Sequence, residues 1–294
     1  MINRMKNRIK SLILTVLEPM QFKNRLEAKS SPNMKVAQRQ LFNYYQHEIS
    51  SGRLWNLSDT GFRNYSQFEE DGILLYIFAA IGTTNKLFVD IGSGDGINSN
   101  CANLAINFGW HGLFIDGDES NINNGKSYYE KHPDAWAFPS KFINAFIQRE
   151  NINQIIEKQG FSGEVDLVSI DLDGNDYWIW DALSIIQPRV VIIETHIEFG
   201  LKSIVVPYDK DYFYPGKHPD YHGASPVAMV KLANRKGYRL VGSNLYGFNT
   251  IYVRRGTGED VLPEVSVESI LSHPRNKERF KLFEPIKDWE YIEV

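Results

Sequence analysis

The sequence predicts an α/β fold: a mostly parallel, seven-stranded sheet covered by helices on both faces, with an antiparallel closing strand. Three observations predict it. Short apolar runs alternate with segments of helical periodicity from residue 66 to residue 236. The first of these runs, at 87–91, empties into glycines at alternate positions, Gly92, Gly94 and Gly96. Carboxylates stand at or near the ends of four runs, as Asp90, Asp116, Asp171 and Glu194.

Each element has its own reason. Ser66-Gln67-Phe68-Glu69 fits a capping box, in which Ser and Glu each satisfy a free amide at a helix start. Ile73, Leu74, Ile77, Phe78 and Ile81 continue it as an apolar stripe, and Gly82 marks the stop. Residues 87–91 form the first strand, apolar enough to be buried on both faces. One glycine would make a corner; three leave the turn bare and let a ligand approach the backbone. Ile97, Cys101, Leu104, Ala105 and Phe108 then give a helix over 97–108. The second strand, 112–116, ends on Asp116, about twenty residues beyond the glycine turn and placed to accept hydrogen bonds from ribose hydroxyls. Asp118 is the reserve for that role and also suits the N-cap of the following helix, 119–131, which His132-Pro133 ends.

A strand at 142–147, a helix at 152–159, a strand at 165–171, a helix over 177–186 stopped by Pro188, and a strand at 190–194 complete the parallel part. Residues 197–224 break the rhythm. This insert carries Tyr208, Tyr212, Phe213, Tyr214, Tyr221, His218 and His222, is too aromatic for disorder, and reads as a substrate lid. Its tyrosines either stack on a ring or sugar or form the loop's own small core. A helix over 227–236 leads to strands at 238–242 and 250–254, an antiparallel pair, and the last forty residues wrap the surface. The expected organisation is an N-terminal helical extension (1–64), a ligand-binding domain (65–255) and a C-terminal extension (256–294). Residues 20–64 show little periodicity.

At 294 residues, 43% hydrophobic and 23% charged, the composition is that of a soluble globular protein. A net charge of −4 gives no general attraction to nucleic acid. Cys101 is the only cysteine, which excludes an intrachain disulfide and a cysteine-rich zinc site. Arg4, Lys6, Arg8 and Lys10 precede an apolar run at 12–17 that is too short to span a bilayer, and no small-residue cleavage site follows. The expected location is cytoplasmic. The basic N-terminus either makes peripheral membrane contact as an amphipathic helix or packs on the domain.

Ligands of open α/β sheets bind beyond the carboxyl ends of the strands, where Asp90, Asp116, Asp171 and Glu194 all fall. Asp171, Asp173, Glu194 and His196 are expected to converge. Asp171, Asp173 and Glu194 suit a hard divalent cation such as Mg2+, and equally suit hydrogen bonding to a substrate with several hydroxyls. The stretch Asp173-Gly174-Asn175-Asp176 also reads as a polar turn and helix cap. His222, where the insert returns to the sheet, is the first candidate for a general base, and His196 the second.

Phe88-Val89-Asp90-Ile91-Gly92-Ser93-Gly94-Asp95-Gly96 resembles the first motif of class I S-adenosylmethionine-dependent methyltransferases. Tyr65-Ser66-Gln67-x-x-Glu70-Asp71-Gly72, Gly112–Asp116, Ser169–Asp176 and Val191–Glu194 are similar to the FkbM-like branch. The likeness runs from 65 to about 255. It implies a Rossmann-like methyltransferase fold binding S-adenosylmethionine, with Gln67, Asp90, Gly92, Ser93, Gly94, Asp95, Gly96, Asp116 and Asp171 as cofactor-binding residues. Asp171, Glu194 and His222 would border or perform methyl transfer to a hydroxyl of a small polar acceptor such as a sugar. Two positions depart from the pattern: Asp116-Gly117 replaces the usual Glu-Pro, and Leu172-Asp173-Gly174 replaces Val-Glu-Gly. The first change keeps the carboxylate. A nicotinamide-dependent oxidoreductase, the rival enzyme, usually carries Gly-x-Gly-x-x-Gly, unlike the spacing here. A cofactor-binding module without catalysis is the third reading.

Overall fold

The structure, a computed structural model, describes residues 31–294. The basic N-terminal run lies outside the described residues. The chain divides into residues 1–44 and 45–294. The described part of the first is helical and belongs to α1 (Pro32–Ser50). Leu41, Phe42, Tyr45 and Ile49 recur at helical spacing on its less exposed side, but the exposed Met34, Val36 and Tyr44 blur that period in the sequence.

Residues 45–294 are built on seven strands: β1 (Leu87–Ile91), β2 (His111–Asp116), β3 (Lys141–Asn144), β4 (Gly163–Ile170), β5 (Ile186–Glu194), β7 (Tyr238–Ser243) and β8 (Asn249–Arg254). A separate short ladder pairs β6 (Ile204–Val205) with β9 (Ile292–Glu293). The sheet order is β3-β2-β1-β4-β5-β8-β7, and β8 alone runs against its neighbours. This is the expected sheet. Side chains alternate between its faces: Val89, Ile91, Leu113, Ile115, Val168 and Val191 join one core with Trp180 and Met229. Phe88 and Phe114 meet edge to face at 5.0 Å, and Phe114 stacks on Phe142.

The connecting helices are α2 (Glu70–Ile81), α3 (Ala102–Phe108), α4 (Glu119–Lys131), α5 (Ile152–Lys158), α6 (Asp176–Ala182) and α7 (Pro226–Arg235). α4 has the expected limits, with Asp118 as its N-cap accepting from the Ser120 and Asn121 amides. Three local expectations are corrected. First, the cap of α2 is not a Ser66–Glu69 box. Asp71 accepts the amides of Asn64, Tyr65 and Ser66, and Ser66 Oγ accepts the Asp71 amide, while Glu69 reaches the Leu245 amide. Second, α3 starts at Ala102 rather than 97. Asp95 Oδ1 takes the Ile97 and Asn98 amides and Ser99 Oγ takes that of Cys101, so side chains replace the first helical turn. Third, Pro188 does not stop a helix; α6 ends at Ala182 and Pro188 lies within β5. It is tolerated because β8 pairs with β5 only from Val190 onward, leaving no ladder bond for the missing amide.

The insert folds against the C-terminal segment. Phe199, Ile204 and Tyr221 share a small core with Phe283 and Ile286.

Candidate active site

Strand order reverses between β1 and β4, and a cleft of about 1020 Å³ opens beyond the carboxyl ends there. It is built outward from β1. Gly92 must lack a side chain, because a Cβ there would lie 1.8 Å from the Asp171 carbonyl oxygen. Gly94 differs: a Cβ would meet open space, and its φ of 55° is what favours glycine. The Gly92 and Ser93 amides both bond to the Ile115 carbonyl, which fastens the turn to β2. Gly96 turns away from the cleft and packs on Phe142 and Phe114.

Asp116 completes the corner. Its Oδ2 accepts the Gly94 amide at 2.8 Å and its Oδ1 the Asp118 amide at 2.8 Å. Each carboxylate oxygen has a second lone pair for a ligand hydroxyl. Asp90 is buried beneath the turn, where it accepts a hydrogen bond from Ser99 Oγ. Burial pushes its pKa up to about 6, against the pull of the Ser99 and Ser169 hydroxyls.

At the ends of β4 and β5 stand Asp171, Asp173 and Glu194, whose nearest carboxylate oxygens lie within 4.8 Å of one another. That set could hold a hard cation through oxygen. Burial, then repulsion from Asp176 and Asp173, drives the Asp171 pKa well above the ordinary range. Burial followed by repulsion from Asp171 does the same to Glu194. The turn reading of 173–176 holds as well: Asp176 accepts the Leu172 and Gly174 amides.

Among the sequence-derived site residues, Gln67, Asp90, Gly92, Ser93, Gly94, Asp95, Asp116, Asp171, Asp173 and Glu194 all line the cleft. Gly96 and His222 do not. His222 is turned inward, because the Gly223 amide bonds to the Gly174 carbonyl and the Val206 amide to that of Gly223. Its ring lies 4.3 Å from that of His196, and burial, then His196, lowers its pKa to about 4. The histidine pair is therefore buried outside the cleft lining, whose ionisable proton acceptors include eight carboxylates. His196 is anchored through Nε2 to the Asp220 carbonyl at 2.8 Å.

Sequence reasoning missed several lining residues. Asn249 faces Glu194 across the β5–β8 register and is held by Glu70, which also binds Asn244. No linear motif joins 70, 244 and 249; only the antiparallel return of β8 does. The choice left open for the insert's tyrosines divides by position: Tyr212 and Tyr214 line the cleft with Phe213, and Tyr221 joins the small core. Phe146 lines it too, because β3 stops at Asn144 and frees the residues that follow. Among the described lining residues eight are Asp or Glu, and none is Lys, Arg or His.

The chain is similar in fold to an O-methyltransferase family protein from Burkholderia thailandensis, at 12% identity and a TM-score of 0.37 over 57% of this chain. That match spans 50% of the Burkholderia chain. A S-adenosylmethionine-dependent methyltransferase from Clostridium acetobutylicum ATCC 824 is similar at 9% identity and a TM-score of 0.40, covering 74% of this chain and 99% of that one. Magnesium protoporphyrin IX methyltransferase from Synechocystis PCC 6803, with bound SAM, is similar at 12% identity and a TM-score of 0.37, covering 85% and 96%. At such identities the likeness is one of fold alone. No protein-family model and no curated protein matches the chain. Among the described residues no helix is long and apolar enough to cross a membrane.

Proposed function

We propose that the protein is an S-adenosylmethionine-dependent methyltransferase that methylates a hydroxyl of a small polar acceptor such as a sugar. One observation carries this reading: Asp116, Asp90 and Asp171, at the ends of the adjacent strands β2, β1 and β4, line one cleft around the open Gly94 corner. The residues fit the cofactor. Asp116 would hold ribose hydroxyls through the lone pairs left by Gly94 and Asp118. Ala145 and Phe146 offer an apolar wall nearby for a purine face, and Asp90 with the Ser93–Asp95 backbone would hold the methionine part. The resemblance of residues 65 to about 255 to the FkbM-like branch supports a hydroxyl acceptor.

When bound, S-adenosylmethionine supplies an electrophilic methyl group. The chain's own task is alignment, exclusion of water and removal of one proton. Asp171 and Glu194 border the acceptor end of the cleft, where burial and then mutual repulsion make their carboxylates more basic than ordinary ones. The segment Tyr212–Tyr214 covers that end and would act as the lid. Glu70, through Asn249, positions the floor beside Glu194.

The test is transfer of labelled methyl from S-adenosylmethionine to a panel of neutral, amino and acidic sugars, with Mg2+ and with EDTA, since Asp171, Asp173 and Glu194 are spaced to take a cation. Label on a hydroxyl, lost in Asp171→Asn, is the expected result. No transfer, together with tryptophan quenching by reduced nicotinamide, would replace this reading with the oxidoreductase.

A further inference from the structure

The insert is tied down on both sides of its tip. On the way out, the Trp178 indole donates to the Val206 carbonyl and the Gln148 side chain to the Lys210 carbonyl. On the way back, the Tyr221 hydroxyl donates to the Glu290 carbonyl and the Gly223 amide to that of Gly174. Residues 211–217, between these shoulders, differ. Among the described residues, no hydrogen bond or ion pair joins them to the chain outside the insert. Six of the seven are exposed, and only Tyr212 is half-buried.

One ring therefore seats the tip. Opposite edges of Tyr212 lie against two glycines: a Cβ on Gly174 would come 2.5 Å from its Cε1, and a Cβ on Gly216 would come 2.7 Å from its Cε2. Gly216 has a φ of 58°, which accounts for glycine there without the ring. Gly174 is not in the left-handed region, so its missing side chain is explained by the ring alone. The seat is packing without a polar lock. The Tyr212 hydroxyl is enclosed and finds no hydrogen-bond partner among the described residues. Leaving the slot returns that hydroxyl to water, which offsets part of the packing lost. Tyr212, Phe213 and Tyr214 also line the cleft, so the place of this ring decides whether that end is covered.

We infer that Tyr212 is a positioning residue and the latch of the cleft: residues 211–217 form a lid, shut while its ring sits between Gly174 and Gly216 and open when the ring leaves. The slot belongs to the turn after β4 that carries Asp171 and Asp173, so closure sets the lid against the acids of the cleft. Its part in methyl transfer rests on the methyltransferase reading; the latch itself does not.

Trypsin digestion of the native full chain tests the latch, read as the rate of cleavage after Lys217, within the tip, against cleavage at the other basic residues. Tyr212→Ala and Gly174→Ala should each raise that rate about tenfold, because cleavage tracks the open fraction. Tyr212→Phe keeps the ring, loses the unpaired hydroxyl and should be cleaved no faster than the wild type. In the Tyr212→Ala background, Gly174→Ala should add nothing. Any of four results would overturn the inference: a wild-type rate in Tyr212→Ala, a Tyr212→Phe cleaved as fast as Tyr212→Ala, equal increments from Gly174→Ala in both backgrounds, or acceleration spread evenly over all basic sites. Tyr212→Ala carries the test alone if Gly174→Ala does not fold. S-adenosylhomocysteine should leave Tyr212→Ala about fivefold faster than it leaves the wild type in stopped-flow release; equal rates would overturn closure of the cleft by this ring. Failure of S-adenosylhomocysteine to bind either protein would overturn the methyltransferase reading, and the trypsin result would still decide the latch.

Discussion

The two edges of the sheet treat buried acids in opposite ways. At the amino-terminal edge of β4, Asp166 is fully buried and fully paired. Arg189 binds it at 2.8 Å, and the amides of Thr84, Asn85 and Lys86 complete its shell. Burial by itself would raise its pKa; the arginine and the three amides outweigh burial and hold it below the ordinary range. At the carboxyl edge of the same strand, burial and then repulsion from Asp176, Asp173, Asp90 and Glu70 drive the Asp171 pKa up. Arg189 also ties the Ile81 and Gly82 carbonyls, so the first edge is a clamp that ends α2 and starts β1. The second edge is held in a state that a cation would relieve. One strand carries both, with closure at one end and, on the proposed function, binding at the other.

The comparison breaks most severely at the clamp. Arg189→Ala leaves Asp166 buried without its counter-charge and should lower the unfolding free energy by about 3–5 kcal/mol, read by urea denaturation at pH 7.5. An unchanged midpoint would show that the amides alone carry Asp166. The opposite edge should respond in the opposite sense. Asp171→Asn removes a mutually repelling charge and should stabilise the protein by about 0.5–2 kcal/mol, while methyl transfer falls about a hundredfold. A loss of stability there would mean that Asp171 is held by its neighbours rather than strained by them.

The smallest effect is in the pH dependence of cofactor binding. Asp90 titrates at about 6, raised chiefly by burial. Its carboxylate form favours a cationic ligand, so on the proposed function affinity for S-adenosylmethionine is expected to be full well above that value and to be lost as pH falls through it. Calorimetry at pH 7.5 and 5.5 should show about a fourfold weakening. Asp90→Asn should flatten the profile; a profile that keeps its slope in this variant would assign the titration elsewhere.

The contrast also explains what was legible in the sequence. The carboxyl edge could be read because strand, glycine turn and terminal acid are contiguous, as at 87–96 and 112–116. The sheet followed from the same alternation, and α4 from its cap and its proline stop. The Asp166–Arg189 clamp was not read, because its members sit inside two different strands with no local signature. His222 falls outside the cleft lining for a related reason. A histidine before a helix shows nothing of its direction, and the bond between Gly223 and Gly174 turns it inward. Asn249 and Phe146 reach the cleft only through the return of β8 and the early end of β3. What a chain encodes locally could be read, and what the sheet assembles from distant pieces could not.

The central claim, that the bare corner beyond β1 receives an adenosyl amino acid, is tested most directly by calorimetric titration of S-adenosylmethionine into the wild-type protein and Asp116→Ala. The account predicts one-to-one binding to the wild type at about 100 µM or tighter and weakening of about tenfold or more in the variant. No heat at about 1 mM ligand, or equal affinity for the two proteins, would contradict it.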